Sequence, residues 1–188
     1  MAKLTLDQIA FLRSHGITPS QVFDASHCQS EIDRKLRMEN QDLYFYFGGA
    51  LCAKGGHSLR TKAGHCIQCD TSKIAYQLRS IASGYIYLAY SAATGLIKIG
   101  FTKHHPQDRS ALLREQRYAN AADWEVKRMA KMDHDAGRKE FLIHAALAAY
   151  QKTITYEKTA GEFIACREVF SCGLDTAIRA FDGVVIGG

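Results

Sequence analysis

Over its first 80 residues the chain alternates short apolar stretches with polar ones. Ile9, Leu12 and His15 recur at helical spacing, Thr5 stands where a cap belongs and Gly16 where a helix would stop, so residues 3–15 predict a short helix. Ile17-Thr18-Pro19-Ser20 reads as a turn with a fresh cap, and Gln21 to Ala25 as a further helical turn or two. Glu31 to Asn40 is charged and predicts a solvated helix. Asp42 to Phe47 alternates around Leu43, Phe45 and Phe47, the period of a strand, and Gly48-Gly49 ends it. Cys52 to Asp70 is rich in Gly, Lys, His and Cys and too polar to bury a core of its own, and Ile74 to Ser80 predicts another helix.

From Gly84 the texture changes. GYIYLAY and LIKIGFT, joined by a turn over Ser91 to Gly95, predict a β-hairpin. Pro106 marks a helix start, with Leu112 and Leu113 as the apolar stripe of Gln107 to Gln116. Trp124 to Met132 predicts a third strand. Ala136 to Lys152 predicts a long helix with Phe141, His144, Leu147, Ala148 and Gln151 along one face. Arg167 to Cys172 reads as a short extended segment, Asp175 to Phe181 as a closing helix, and residues 182–188 as a ragged tail. The expected class is α/β in the α+β sense: a small three-stranded antiparallel sheet flanked by helices, preceded by a helical region with a metal knuckle. The expected boundaries are 1–50 for the helical region, 51–80 for the knuckle and 84–181 for the sheet domain.

Bulk composition adds little. At 47% hydrophobic and 23% charged residues the chain is an ordinary globular one. A net charge of +5 permits a nucleic-acid partner without requiring one. No apolar run approaches the roughly 20 residues of a membrane span, so no membrane partner is expected. Asp7 falls where a secretory signal would have its apolar core, which predicts a cytoplasmic protein.

The cysteines change the picture. In a reducing compartment six of them are not a disulfide framework. Cys52, His57, Cys66 and Cys69 give C-x4-H-x8-C-x2-C, two ligand pairs across a short loop, which suits a tetrahedral structural Zn²⁺ with no open position. His65, beside Cys66, competes with His57 for the fourth position. Lys54, Arg60 and Lys62 would ride on the knuckle as DNA contacts, and protein–protein contact is the alternative use.

Tyr85-Ile86-Tyr87, then ten residues, then Lys98-Ile99-Gly100 with Thr102, resembles the paired strands that name the GIY-YIG nucleases, closest to a viral and bacterial subgroup whose second motif reads KIG-x-T. The resemblance covers about 84–181 and implies a DNA endonuclease using one Mg²⁺ or Mn²⁺. By it, Tyr87 orients or deprotonates the attacking water, Arg109 contacts phosphate with a planar, always charged fork, and Glu168 holds the cation. Lys98 stands where the family has its second tyrosine, open to two roles: a point charge on phosphate, or a base. Tyr85 shares a strand face with Tyr87 and could share its role. His144 matches a helix histidine that assists proton transfer or contacts phosphate, and Glu162 is a rival for Glu168. Lys103 and Arg114 are further candidate DNA contacts. One such site makes one nick, so a double-strand cut would take two chains, as a homodimer on DNA, or successive nicks. The alternatives are a DNA-binding protein that keeps the fold without activity, and a zinc-dependent adaptor.

Overall fold

The structure is a computed structural model that describes residues 3–187 and divides into two compact units, 1–78 and 79–188. In the first unit, α1 (Leu6–Ser14) begins at a capping box in which Thr5 Oγ1 accepts from Gln8 N at 3.2 Å and Thr5 N donates back to the Gln8 side chain at 3.0 Å. A 3₁₀ turn (Pro19–Gln21) leads into β1 (Val22–Asp24), followed by α2 (Glu31–Asn40), β2 (Phe45–Phe47), β3 (Arg60–Thr61) and α3 (Ser72–Ser80). β1 pairs parallel to β2 and β2 antiparallel to β3. The helical turns expected over Gln21 to Ala25 are therefore replaced by a strand. The reason lies in Val22 and Phe23, which are buried in two different clusters: Val22 with Leu12, Ile17 and Phe45, and Phe23 with Met38 and Tyr46. Successive side chains reach opposite sides only in extended backbone. The polar Cys52 to Asp70 stretch has no core of its own, but it plugs Leu59 and Ile67, both fully buried, into the first cluster.

The second unit carries β4 (Gly84–Tyr90), β5 (Ile97–Thr102), α4 (Pro106–Glu115), β6 (Glu125–Met132), α5 (Ala136–Ala146), β7 (Gln151–Thr159), β8 (Glu162–Phe170) and α6 (Leu174–Ile186). The fold is mixed α+β as expected, with one sheet of three strands and one of five among the described residues. The five-stranded sheet is antiparallel in the order β6-β4-β5-β8-β7. The three strands foreseen form its β6-β4-β5 part, and a long hairpin extends it. Only the first two residues of that hairpin, Gln151 and Lys152, fall in the expected helix; most of it occupies what reads in the sequence as a polar connection before the extended segment at Arg167 to Cys172. α5 stops at Ala146, and the chain turns to strand where Thr153, Ile154, Thr155 and Tyr156 form a β-branched and aromatic run, with Tyr156 buried in the sheet's core while its neighbours stay exposed. α6 also runs past the expected end, through Asp182 to Ile186, because Val184 and Val185 pack on the sheet's core.

Strand alternation splits this core. Ile86, Leu88, Ile97, Ile99 and Phe170 pack under α5 and α6 on one side. Tyr87, Ala89 and Val169 pack with Leu113, Tyr118 and Trp124 on the other.

Candidate active site

β5 and β8 pair only through Ile97↔Phe170 and Lys98↔Val169. Beyond Lys98 the strands part, and a cleft of about 330 Å³ opens at that point. Tyr87 from β4, Lys98 and Gly100 from β5, Arg109 from α4 and Glu168 from β8 line it. Tyr87 lies directly opposite Gly100 in the register. A Cβ on Gly100 would come within 2.6 Å of the phenol oxygen. Glycine at this position is what lets the tyrosine ring lie across β5.

Lys98 is buried, with its ammonium 2.8 Å from Glu168 Oε2 and 4.9 Å from the centroid of the Tyr118 ring. A buried ammonium without a partner costs several kcal/mol, so the carboxylate and the aromatic face hold the charge where it is. Glu168 itself is 45% exposed, so the pair is one-sided: the lysine is inside, the carboxylate opens on the cleft. Burial pushes the Glu168 carboxyl up, but the charge and hydrogen bond of Lys98, aided by His144 and Arg79, outweigh it and hold it below the usual carboxylate range.

The other expected site residues have separate places. His144 sits behind the cleft, its Nε2 3.2 Å from the Ile99 carbonyl and its ring edge-on to Phe170. Tyr85 is not among the cleft residues: its ring meets His105, and it lines a different groove with Lys103 and Lys131. Glu162 is at the β7–β8 turn, where it accepts from Thr159. Arg114 donates to the Trp124 carbonyl at 3.2 Å. Three cleft residues escape the sequence reading, Arg79, Phe101 and Glu140, two of them charged. Arg79 left no signal. Glu140 did: Ala136, Glu140, Ile143 and Leu147 are the buried stripe of α5, at helical spacing, and a carboxylate in such a stripe marks a site. The face first assigned to this helix, through Phe141 and His144, is rotated from it.

In the first unit the knuckle gathers Cys52, His57, Cys66 and Cys69, with all four ligand atoms within 4.8 Å of one another. Cys69 Sγ is 3.5 Å from Cys52 Sγ and 3.3 Å from His57 Nδ1, and Cys66 Sγ is 3.7 Å from the same nitrogen. Zinc bonds of about 2.3 Å to sulfur and about 2.0 Å to nitrogen give tetrahedral edges near these lengths, so the cluster suits such a metal. Backbone amides of Lys54 and Gly55 hold the Cys52 thiol down to about 7, while the hydrogen bonds of Cys52 and Cys66 push Cys69 up to about 11. Gly55 is required by the histidine, since a Cβ there would meet the His57 ring at 2.7 Å. His65 is exposed and outside the four. Arg60 does not ride free: it clamps the Gly64 and Ala50 carbonyls at 2.9 and 3.1 Å. Lys62 lies 3.7 Å from Glu39, and Lys54 is exposed.

Residues 84–185, more than half of the chain, match the T5orf172 domain family. The chain belongs to this family. T5orf172 is a nuclease-associated domain, and the match spans the sheet and its helices from β4 to α6. It contains every cleft residue named above except Arg79. No curated protein and no solved structure matches the chain.

Proposed function

We propose that the T5orf172 unit is a metal-dependent endonuclease of the GIY-YIG type that hydrolyses phosphodiester bonds in DNA. The observation that carries this is the Lys98–Glu168 pair, set in one cleft with Tyr87 and Arg109. Phosphodiester hydrolysis needs an oriented water, cations for the charge that develops on phosphate, and help for the leaving oxygen. Arg109 offers the phosphate a bidentate fork, and Lys98 a second cation whose position is fixed by burial. The Tyr87 hydroxyl, held over Gly100, orients the water. His144 sits close enough to lower the Glu168 pKa and so supports an ionised carboxylate. That carboxylate, nearly half exposed and with Lys98 on Oε2, suits Mg²⁺ or Mn²⁺, which commonly take one or two protein carboxylates and otherwise water. When bound, the ion would supply charge neutralisation at the phosphate.

The knuckle supports a zinc-ordered element that positions DNA through Lys54. A single cleft per chain favours a nick, with two chains needed for a concerted double-strand cut. One observation favours a second reading, a DNA-binding T5orf172 protein without activity: Lys98 already neutralises the carboxylate that a catalytic cation needs. Supercoiled plasmid with Mg²⁺ or Mn²⁺ decides between them. Metal-dependent nicking by the wild type that is lost in Glu168→Gln supports the enzyme, and intact plasmid across metals and substrates rejects it.

A further inference from the structure

We infer that Arg79, which precedes the T5orf172 match, is a third phosphate-binding residue of the cleft, beside Lys98 and Arg109, and that buried Glu140 is the residue that positions it. The inference rests on the nuclease reading above.

The case begins with the backbone. Residues 79–82 are stitched to the start of α5, with Asp135 N donating to the Ile81 carbonyl at 3.3 Å and Ala136 N to the Ala82 carbonyl at 3.0 Å. Gly137 lets that contact close, since a Cβ there would stand 2.2 Å from the Arg79 carbonyl oxygen. The root of the Arg79 side chain is therefore fixed by the domain, although it lies five residues before the family match begins.

The side chain is fixed as well. Arg79 Nη2 donates to Glu140 Oε2 at 2.7 Å, and Glu140 Oε1 accepts from Phe101 N at 3.0 Å. Glu140 is 1% exposed, so both oxygens are committed, one to β5 and one to the guanidinium. Arg79 is 44% exposed on the cleft and stands 5.6 Å from the Phe141 ring centroid. Glu140 accepts from Nη2 alone, and an arginine carries five N–H donors in a fixed plane.

A purely structural role explains this arrangement poorly. An ion pair with one half-exposed member adds little stability, and an apolar residue at position 140 would fill the α5 stripe without a buried charge. A guanidinium held rigid at a cleft wall, beside Lys98 and Arg109, is what a phosphate with developing charge requires, because a preorganised donor need not reorganise during reaction. With three cations facing Glu140 and Glu168, the cleft carries net positive charge before any metal binds.

The test uses the full chain, with Arg79→Met, Arg79→Lys and Glu140→Gln. Turnover is read on cleavable DNA, and the salt dependence of DNA binding is read in a Glu168→Gln background. Arg79→Met should lower kcat on the order of 10²-fold, the typical loss of one preorganised donor, and should flatten the log–log salt slope by about 0.9, one phosphate's worth. Arg79→Lys should restore the salt slope and only part of kcat, since a lysine keeps the charge without the fork. Glu140→Gln, which keeps an acceptor for Phe101 N, should lower kcat more than it changes KM. Wild-type kcat and salt slope in Arg79→Met would overturn the inference. So would losses in Arg79→Met and Arg79→Lys that only track a lowered melting temperature. A wild type that cuts nothing but shows the Arg79-dependent slope would keep the phosphate contact and remove the nuclease reading.

Discussion

The two units of this chain solve the same problem, gathering charged ligands in one place, by opposite means. The knuckle draws four ligands from 18 consecutive residues, Cys52 to Cys69, and needs only tight turns, one of them at Gly55-Gly56. The cleft draws its groups from Arg79 to Glu168, and only the five-stranded sheet brings them together. A locally built site has little hydrophobic support and depends on its ion for stability. A site built by a sheet inherits its rigidity from packing, as Tyr87 does from Gly100. The first should collapse when its ligand is withdrawn, and the second should respond to single atoms in its walls.

The largest effect should come from breaking the knuckle. Cys66→Ser, or a strong chelator, should take metal content from about one ion per chain to none. Amide exchange should then lose protection around Leu59 and Ile67 while β4 and β5 keep theirs. Equal loss in both units would erase the contrast drawn above. Next comes Gly100→Ala. Its methyl meets the Tyr87 ring at 2.6 Å, and overpacking of this kind costs about 1–3 kcal/mol. Thermal unfolding should register that cost together with a fall in cleavage, whereas an unchanged melting point would mean the ring moves aside freely.

Smaller effects sharpen the comparison. Thr5→Ala removes the α1 cap and should cost about 1 kcal/mol in the first unit alone, measured by denaturant unfolding. The Lys98–Glu168 pair predicts a pH dependence confined to the second unit. Because the Glu168 carboxyl is depressed in the fold, its contribution is present above the unfolded value near 4.5 and is lost as pH falls through the folded one. Melting temperature followed from about pH 7 down to about pH 3 should drop less steeply in Lys98→Met than in the wild type. Parallel acid limbs in the two proteins would remove the pair from the account.

The same contrast decides what was legible in the sequence. The knuckle could be read directly, because ligand spacing along the chain is ligand spacing in space, and the competition between His57 and His65 is decided by the turn at Gly55-Gly56. The hairpin of β4 and β5 was also legible, since alternation and a short turn are local. The β7–β8 hairpin was not: Leu147, Ala148 and Gln151 continue the helical period of α5 into its first residues, and the rest is mostly exposed, without the apolar alternation that marks a half-buried strand. Arg79 and Glu140 were missed for a related reason. Their pairing is a contact across 61 positions: no local pattern carries Arg79, and the one that carries Glu140, its place in the buried stripe of α5, shows only once the helix face is set correctly. Arg60 and Lys62 show what spacing alone leaves out: Arg60 also donates to the Gly64 and Ala50 carbonyls, and Lys62 lies 3.7 Å from Glu39.

The division of labour itself is open to one direct measurement, the single-turnover cleavage rate of DNA as a function of protein concentration. The wild type, Cys66→Ser and Glu168→Gln would be compared in the full chain with Mg²⁺ present. If the knuckle positions DNA and the cleft cuts it, Cys66→Ser will need more protein to reach half its maximum yet approach the wild-type plateau. Glu168→Gln will bind normally and show a plateau lower by on the order of 10²-fold. A Glu168→Gln plateau equal to the wild type, or a Cys66→Ser defect confined to the plateau, would contradict the account.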